Sequence, residues 1–216
     1  MEEGPTSAGG VYDAVKQLIL SGSYRPGNKL VHEELAGRLN VSRTPVREAL
    51  ERLRQEGYVR HVPRRGFFVS EIGEAEARDL YGVREALELH ALRTIFAEAG
   101  KVETAPLRAI NLRYRQAVTD RTAKTRLQVD AEFHLALAGQ AGNSHLVQLL
   151  AGIFERIALK MRTETYELRL GEEAVAEHEA LLDAFERGDP QQADERLRAH
   201  IGSARARLLR QMEDWT

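Results

Sequence analysis

Apolar residues recur at helical spacing from near the start of the chain. Val11, Val15, Leu18 and Ile19 mark one face of a first helix that ends at Gly22, and SGSYRPGNK follows as a turn-rich loop. A short second helix is predicted over about 32–39, with Leu35, Ala36 and Leu39 inward and Glu33 and Glu34 in the first turn, where the helix dipole favours acids. Asn40 suits the left-handed residue that closes a helix, and Ser42 suits the N-cap of the next. The third helix is predicted over about 43–56, tolerating Pro45 in its first turn and stopped by Gly57. Two short apolar runs, YVRHV and GFFV, flank Pro63-Arg64-Arg65-Gly66 and read as a hairpin with a basic tip. After a connector around 70–74 no strand pattern returns. Helical spacing marks six segments, about 75–99, 103–120, 124–141, 145–169, 172–187 and 190–213, punctuated by Gly100, Gly142-Asn143, Gly171 and Gly188-Asp189-Pro190. The expected fold class is mainly α: a disordered tail over 1–9, a winged helix-turn-helix domain over 10–72, and a six-helix antiparallel bundle over 73–216.

Composition narrows the functional classes. The 216 residues are 43% hydrophobic and 30% charged, a globular mixture. No apolar run approaches the ~20 residues of a membrane span, and a signal-peptide core is lacking, so the expected location is cytoplasmic. The absence of cysteine removes disulfides, thiolate catalysis and cysteine-based zinc sites. Charge is unevenly spread. Residues 1–70 carry 11 basic and 8 acidic side chains, whereas the remainder carries 20 and 25. Between Arg38 and Arg65, eight arginines face three glutamates. A basic segment on an acidic chain suggests a polyanionic partner, and arginine suggests defined hydrogen-bond geometry. On charge alone, a solvated helix face remains equally open.

The third helix decides between them. At 100° per residue, Val46, Ala49, Leu50 and Leu53 fall on one side, and Arg43, Thr44, Arg47, Glu51 and Arg54 on the other. Two short helices joined by a tight turn, with arginines opening the second, make a helix-turn-helix whose second helix can enter the major groove. The stretch VSRTPVREALERLRQEGYV followed by RRGFFV resembles the winged helix-turn-helix of the GntR family of bacterial transcription regulators. That resemblance implies DNA contacts from Arg43, Thr44 and Arg47, and wing contacts from Arg65 and Gly66. The chain departs from it at Glu33, where some members place a DNA-binding arginine.

Polar residues interrupt the apolar stripes of the C-terminal helices. In segment 124–141 the inner stripe is expected to be Leu127, Ala131, Leu135, Ala138 and Ala141, with Asp130 and His134 within it, four residues apart and projecting together. His178 falls among Ala174, Leu182 and Phe185, and His200 beside Ala193, Leu197 and Ala204. Each histidine alone reads as a core or surface residue. Three imidazoles and one carboxylate converging in a helical core suit a divalent transition metal, with Zn²⁺ the first choice and Ni²⁺, Mn²⁺ or Fe²⁺ as alternatives. The spacing Asp130, His134, His178, His200 also resembles the metal-binding branch of the FCD domain, the ligand-binding domain of FadR-like GntR regulators. The segments YGVREALELHAL and AFERGDPQQADERLRAHI are similar to that domain too. His32, His61, His90 and His145 fit no metal spacing. Arg84, between Leu80, Leu87, Ala91 and Ile95, is expected to point inward, either as a salt bridge to Glu88 or as a clamp for a carboxylate effector. The FCD resemblance implies the second role.

These readings converge on a DNA-binding transcription regulator, expected to be a repressor. It is expected to act as a homodimer on a pseudo-palindromic double-stranded operator, with a metal site and a small organic acid effector. Two rivals stand beside it: a metal-dependent hydrolase, against which no HExxH-like arrangement is found, and a structural metal domain serving dimerisation only.

Overall fold

The computed structural model describes residues 8–98, 101–160 and 168–213. Twelve elements follow in chain order: α1 (Ala8–Leu20), β1 (Lys29–Leu30), α2 (His32–Leu39), α3 (Arg43–Gln55), β2 (Val59–Val62), β3 (Gly66–Val69), α4 (Glu74–Glu98), α5 (Thr104–Thr119), α6 (Ala123–Gly139), α7 (Ser144–Lys160), α8 (Leu168–Arg187) and α9 (Pro190–Glu213). By contact the chain divides into two compact units. One runs to Ile72 and takes in a short stretch from Glu155 within α7; the other holds the remainder.

In the first unit α1 packs on α3, and α2 on α3. Val11, Val15, Leu35, Val46, Leu50, Leu53 and Val69 are at most 1% exposed and form its core. Each such fully buried aliphatic side chain contributes roughly 1.5–3 kcal/mol relative to its exposed state. The hairpin is part of a larger sheet. β1 pairs with β3 on the side away from β2, giving the antiparallel order β1-β3-β2 with Leu30 opposite Phe67 and Val59 opposite Val69. A two-residue strand is too short to show an alternating pattern, so the loop expected over 21–29 conceals it. Helix α1 begins at Ala8, inside the stretch expected as tail; residues 1–7 lie outside the described residues.

In the second unit α4 packs on α9 and α6, α5 on α6 and α8, and α8 on α9. Gly171 does not break a helix, contrary to the expectation. It lies within α8, where a Cβ would stand 2.7 Å from Arg126 Nη1 and 2.9 Å from Val118 Cγ2. Glycine is there for close packing. The expected helix 145–169 ends, as far as it is described, at Lys160, and residues 161–167 lie outside the described residues. No described helix is long and apolar enough to cross a membrane.

Candidate metal centre and nucleic-acid interface

The turn between α2 and α3 closes as its residue types dictate. Asn40 takes φ 54° and ψ 46°, and its N–H meets the carbonyls of Ala36 and Gly37. Ser42 holds the extended N-cap position of α3, but its hydroxyl makes no cap hydrogen bond. Val46, Ala49, Leu50 and Leu53 are buried, which leaves Arg43, Thr44 and Arg47 exposed on the opposite face. Arg43 donates to Glu33 at 2.7 Å, with the two side chains 72% and 63% exposed. An ion pair that exposed contributes little, being screened by water and salt, and exchanges readily for a phosphate or a base edge. At the wing, Arg65 N–H closes a turn onto Val62 O at 3.0 Å, with Arg64 at φ 63° and Gly66 at φ 97°. A Cβ on Gly66 would meet only Lys29 Cε at 3.6 Å, so conformation rather than space demands glycine there. The Arg65 guanidinium lies 5.6 Å from the Phe68 ring centre.

In the second unit Asp130, His134, His178 and His200 come together, each offering one ligand atom, all within 4.8 Å of one another. α6 supplies the first two, α8 and α9 one each. The three histidines are at most 2% exposed, and the Asp130 side chain is 20% exposed. The expected stripe on α6 is rotated from the true one. Arg126, Val129, Phe133, His134, Leu137 and Ala138 are buried, whereas Leu127, Ala131 and Leu135 are only half-buried. Apolar residues surround this helix, so periodicity alone cannot choose its inner face.

Hydrogen bonds fix how the imidazoles point. His134 Nδ1 faces Glu88 Oε2 at 2.6 Å, His178 Nδ1 faces Asn111 Oδ1 at 3.1 Å, and His200 Nδ1 faces Glu177 Oε2 at 2.9 Å. These oxygens accept, so each Nδ1 carries the hydrogen, and in the neutral ring each Nε2 keeps a lone pair directed inward. His134 Nε2 and His200 Nε2 are 3.0 Å apart, and His178 Nε2 is buried with no hydrogen-bond partner among the described residues, 3.5 Å from Asp130 Oδ1. Lone pairs converging on one point are repulsive unless a cation lies among them, so this donor set fits a divalent metal. Burial holds the His178 imidazole well below its ordinary pKa, and a proton on the neighbouring His200 or His134 would push it lower still. Burial also lowers His200, although Glu177 opposes it. Neutral imidazoles are what a metal requires.

Arg84 lies beside this cluster, 1% exposed. Its Nε donates to Glu88 Oε1 at 2.6 Å, and its guanidinium stands 4.5 Å from the Phe154 ring centre. Nη2 is buried with no hydrogen-bond partner among the described residues. Burial resists the charge on Glu88, but His134 and Arg84 outweigh it and hold the carboxyl down at about 2. For Arg84, burial is likewise outweighed by Glu88 and Asp130, and its pKa rises. Glu88 thus joins the two expected sites, as partner of both Arg84 and His134.

Sequence reasoning did not find Asn111 or Glu177. Asn111 sits in the Leu107–Tyr114–Val118 stripe of α5, so a buried polar residue was there to be noticed. Glu177 lies next to His178 and carried no such signal. His90, His145 and His61 are exposed, and His32 packs edge-on against Phe67 in the first unit.

Comparison with known proteins agrees with both halves. Residues 7–69 match the model for bacterial regulatory proteins of the gntR family, and residues 79–203 match the FCD domain. The Nta operon transcriptional regulator of Aminobacter aminovorans is 35% identical over 156 residues, covering 72% of this chain and 74% of that protein. An uncharacterised HTH-type transcriptional regulator from an unstable DNA locus of Streptomyces ambofaciens is 33% identical over 198 residues, covering 92% and 83%. Among solved structures, a GntR regulator of Rhodococcus sp. RHA1 superposes with TM-score 0.80 at 22% identity, covering 94% of this chain and 97% of that one. These relatives are regulators, which sets the hydrolase reading aside. A helix-turn-helix with exposed arginines and a wing, joined to an FCD domain, places this chain in the GntR family as a DNA-binding transcriptional regulator.

Proposed function

We propose that this regulator binds a divalent metal, with Zn²⁺ first, through Asp130, His134, His178 and His200, and senses a small carboxylate effector at that centre. One observation carries the reading: three buried imidazoles have their Nδ1 atoms held by acceptors and their Nε2 lone pairs aimed at one point beside a carboxylate. A cation held by these four groups supplies a Lewis acid for an acid's oxygen. Arg84 supports the effector role, because Nη2 is a buried donor without a partner among the described residues. Since Arg84 also holds Glu88, replacing it disturbs metal and acid together.

DNA recognition follows from Arg43, Thr44 and Arg47 in the major groove, with Arg65 and the Gly66 turn against an adjacent groove or phosphates. One such unit reads few base pairs, so two copies related by a two-fold axis on a pseudo-palindromic operator are inferred. Repression is inferred from relatives such as the HTH-type transcriptional repressor GlaR of Escherichia coli, 26% identical over 198 residues. Native mass spectrometry of the chain purified from its host tests the centre. One divalent ion per chain with a co-purifying organic acid is expected, and a chain that takes up no metal would refute it.

A further inference from the structure

The groups behind the three imidazoles are not alike. His178 leans on a neutral carboxamide, Asn111, whose Nδ2 donates to Glu179 Oε1 at 2.7 Å. His134 and His200 each lean on a carboxylate that is itself held by an arginine. Behind His134, Glu88 receives one bond from Arg84 Nε. Behind His200, Glu177 is gripped at both oxygens, Arg207 Nη1 donating to Oε1 at 2.7 Å and Nη2 to Oε2 at 2.8 Å. Arg207 is 7% exposed and lies two turns beyond His200 on α9, while Glu177 comes from α8.

We propose that Arg207, acting through Glu177, is a positioning residue for the metal centre. This rests on the metal reading above. A carboxylate on Nδ1–H strengthens Nε2 as a donor and sets the ring plane, but only if the carboxylate cannot turn. A two-pronged guanidinium fixes the carboxylate plane and balances its charge in a site largely withdrawn from water. The two arginines divide the work. Arg84 keeps Nη2 for a ligand, whereas both Nη atoms of Arg207 are engaged with Glu177. The competing account is an ion pair that merely staples α8 to α9.

The full-length chain with Co²⁺ as probe separates the two. Arg207→Met and Glu177→Gln should each weaken Co²⁺ binding by about 10- to 100-fold and alter its visible d–d absorption. Because Arg207 acts through Glu177, the double variant should bind Co²⁺ no more weakly than Glu177→Gln alone. A staple would lower the metal-free melting midpoint and leave Co²⁺ affinity and spectrum unchanged, which overturns the proposal. Additive losses in the double variant overturn it as well. Glu177→Gln preserves shape and carries the test if Arg207→Met does not fold; unchanged Co²⁺ affinity in it is sufficient refutation. A wild-type chain that takes up neither Co²⁺ nor Zn²⁺ overturns the metal reading itself, a result distinct from wild-type uptake with indifferent variants.

Discussion

Loading the centre with Zn²⁺ should raise the melting midpoint of the second unit, and replacing His200 with alanine should abolish the rise. Asp130 and His134 lie on α6, His178 on α8 and His200 on α9, so a cation held by all four ties together three helices remote in sequence. Without it, neutral His134 and His200 rings bring two Nε2 lone pairs within 3.0 Å of each other. A ligand that binds only the folded chain stabilises it by about 2.7 kcal/mol at a free concentration 100-fold above its Kd. For a unit of roughly 140 residues, about 3 °C accompanies each kcal/mol, so the midpoint should climb by about 8 °C. Truncating a side chain that is 2% exposed also leaves a cavity, and His200→Ala should melt lower than wild type even in chelator. The informative quantity is therefore the difference, within one variant, between Zn²⁺-loaded and EDTA-treated protein, followed by near-ultraviolet circular dichroism. Wild type should show about 8 °C and His200→Ala close to none. Equal increments in the two proteins would mean that Zn²⁺ stabilises the chain elsewhere.

Arg47→Ala should weaken operator binding by about 1–3 kcal/mol in a fluorescence titration, with the circular dichroism spectrum unchanged, because the side chain is exposed and the contact proposed for it is of base-edge scale. Operator affinity should fall steeply with salt, with a log–log slope of about −0.9 per phosphate neutralised, read from titrations at several ionic strengths. The metal-free chain should lose stability as pH drops below about 6.5, measured as the urea midpoint in EDTA at pH 7.5 and 5.5. Burial places His178 and His200 below their unfolded values, so the unfolded chain takes up protons first on acidification and gains in stability over the folded one. Gly171→Ala should destabilise by about 1 kcal/mol net, because overpacking against Val118 and Arg126 at about 1–3 kcal/mol exceeds the roughly 1 kcal/mol that alanine gains over glycine in a helix. Urea titration reads that difference.

The elements that carry their own signals were legible in the sequence. The helix-turn-helix has an αL asparagine, an amphipathic helix whose buried set is Val46, Ala49, Leu50 and Leu53, and a basic turn at the wing, and each is a local property. The metal candidates were legible for a related reason: a histidine on an apolar stripe breaks a pattern, and His134, His178 and His200 are indeed buried. What local pattern does not encode was missed. β1 exists because β3 offers it an edge, not because Lys29 and Leu30 prefer a strand. Gly171 reads as a break in one dimension and as a packing contact in three. The inner face of α6 was misjudged because leucines and alanines surround that helix. Asn111, Glu177 and Arg207 join the centre only through hydrogen bonds between α5, α8 and α9, whose register a single sequence does not report.

The central claim is that an acid bound at the metal centre changes the grip on DNA. The most direct measurement is an operator titration with the Zn²⁺-loaded chain, with and without the organic acid recovered by native mass spectrometry, repeated with the His134→Ala/His200→Ala double variant. The account predicts that the acid shifts wild-type operator affinity by about 5- to 150-fold, the usual range of coupling between two sites, and leaves the double variant's affinity unchanged. A double variant that carries no metal yet answers the acid as wild type does would contradict the account and place the sensing site elsewhere.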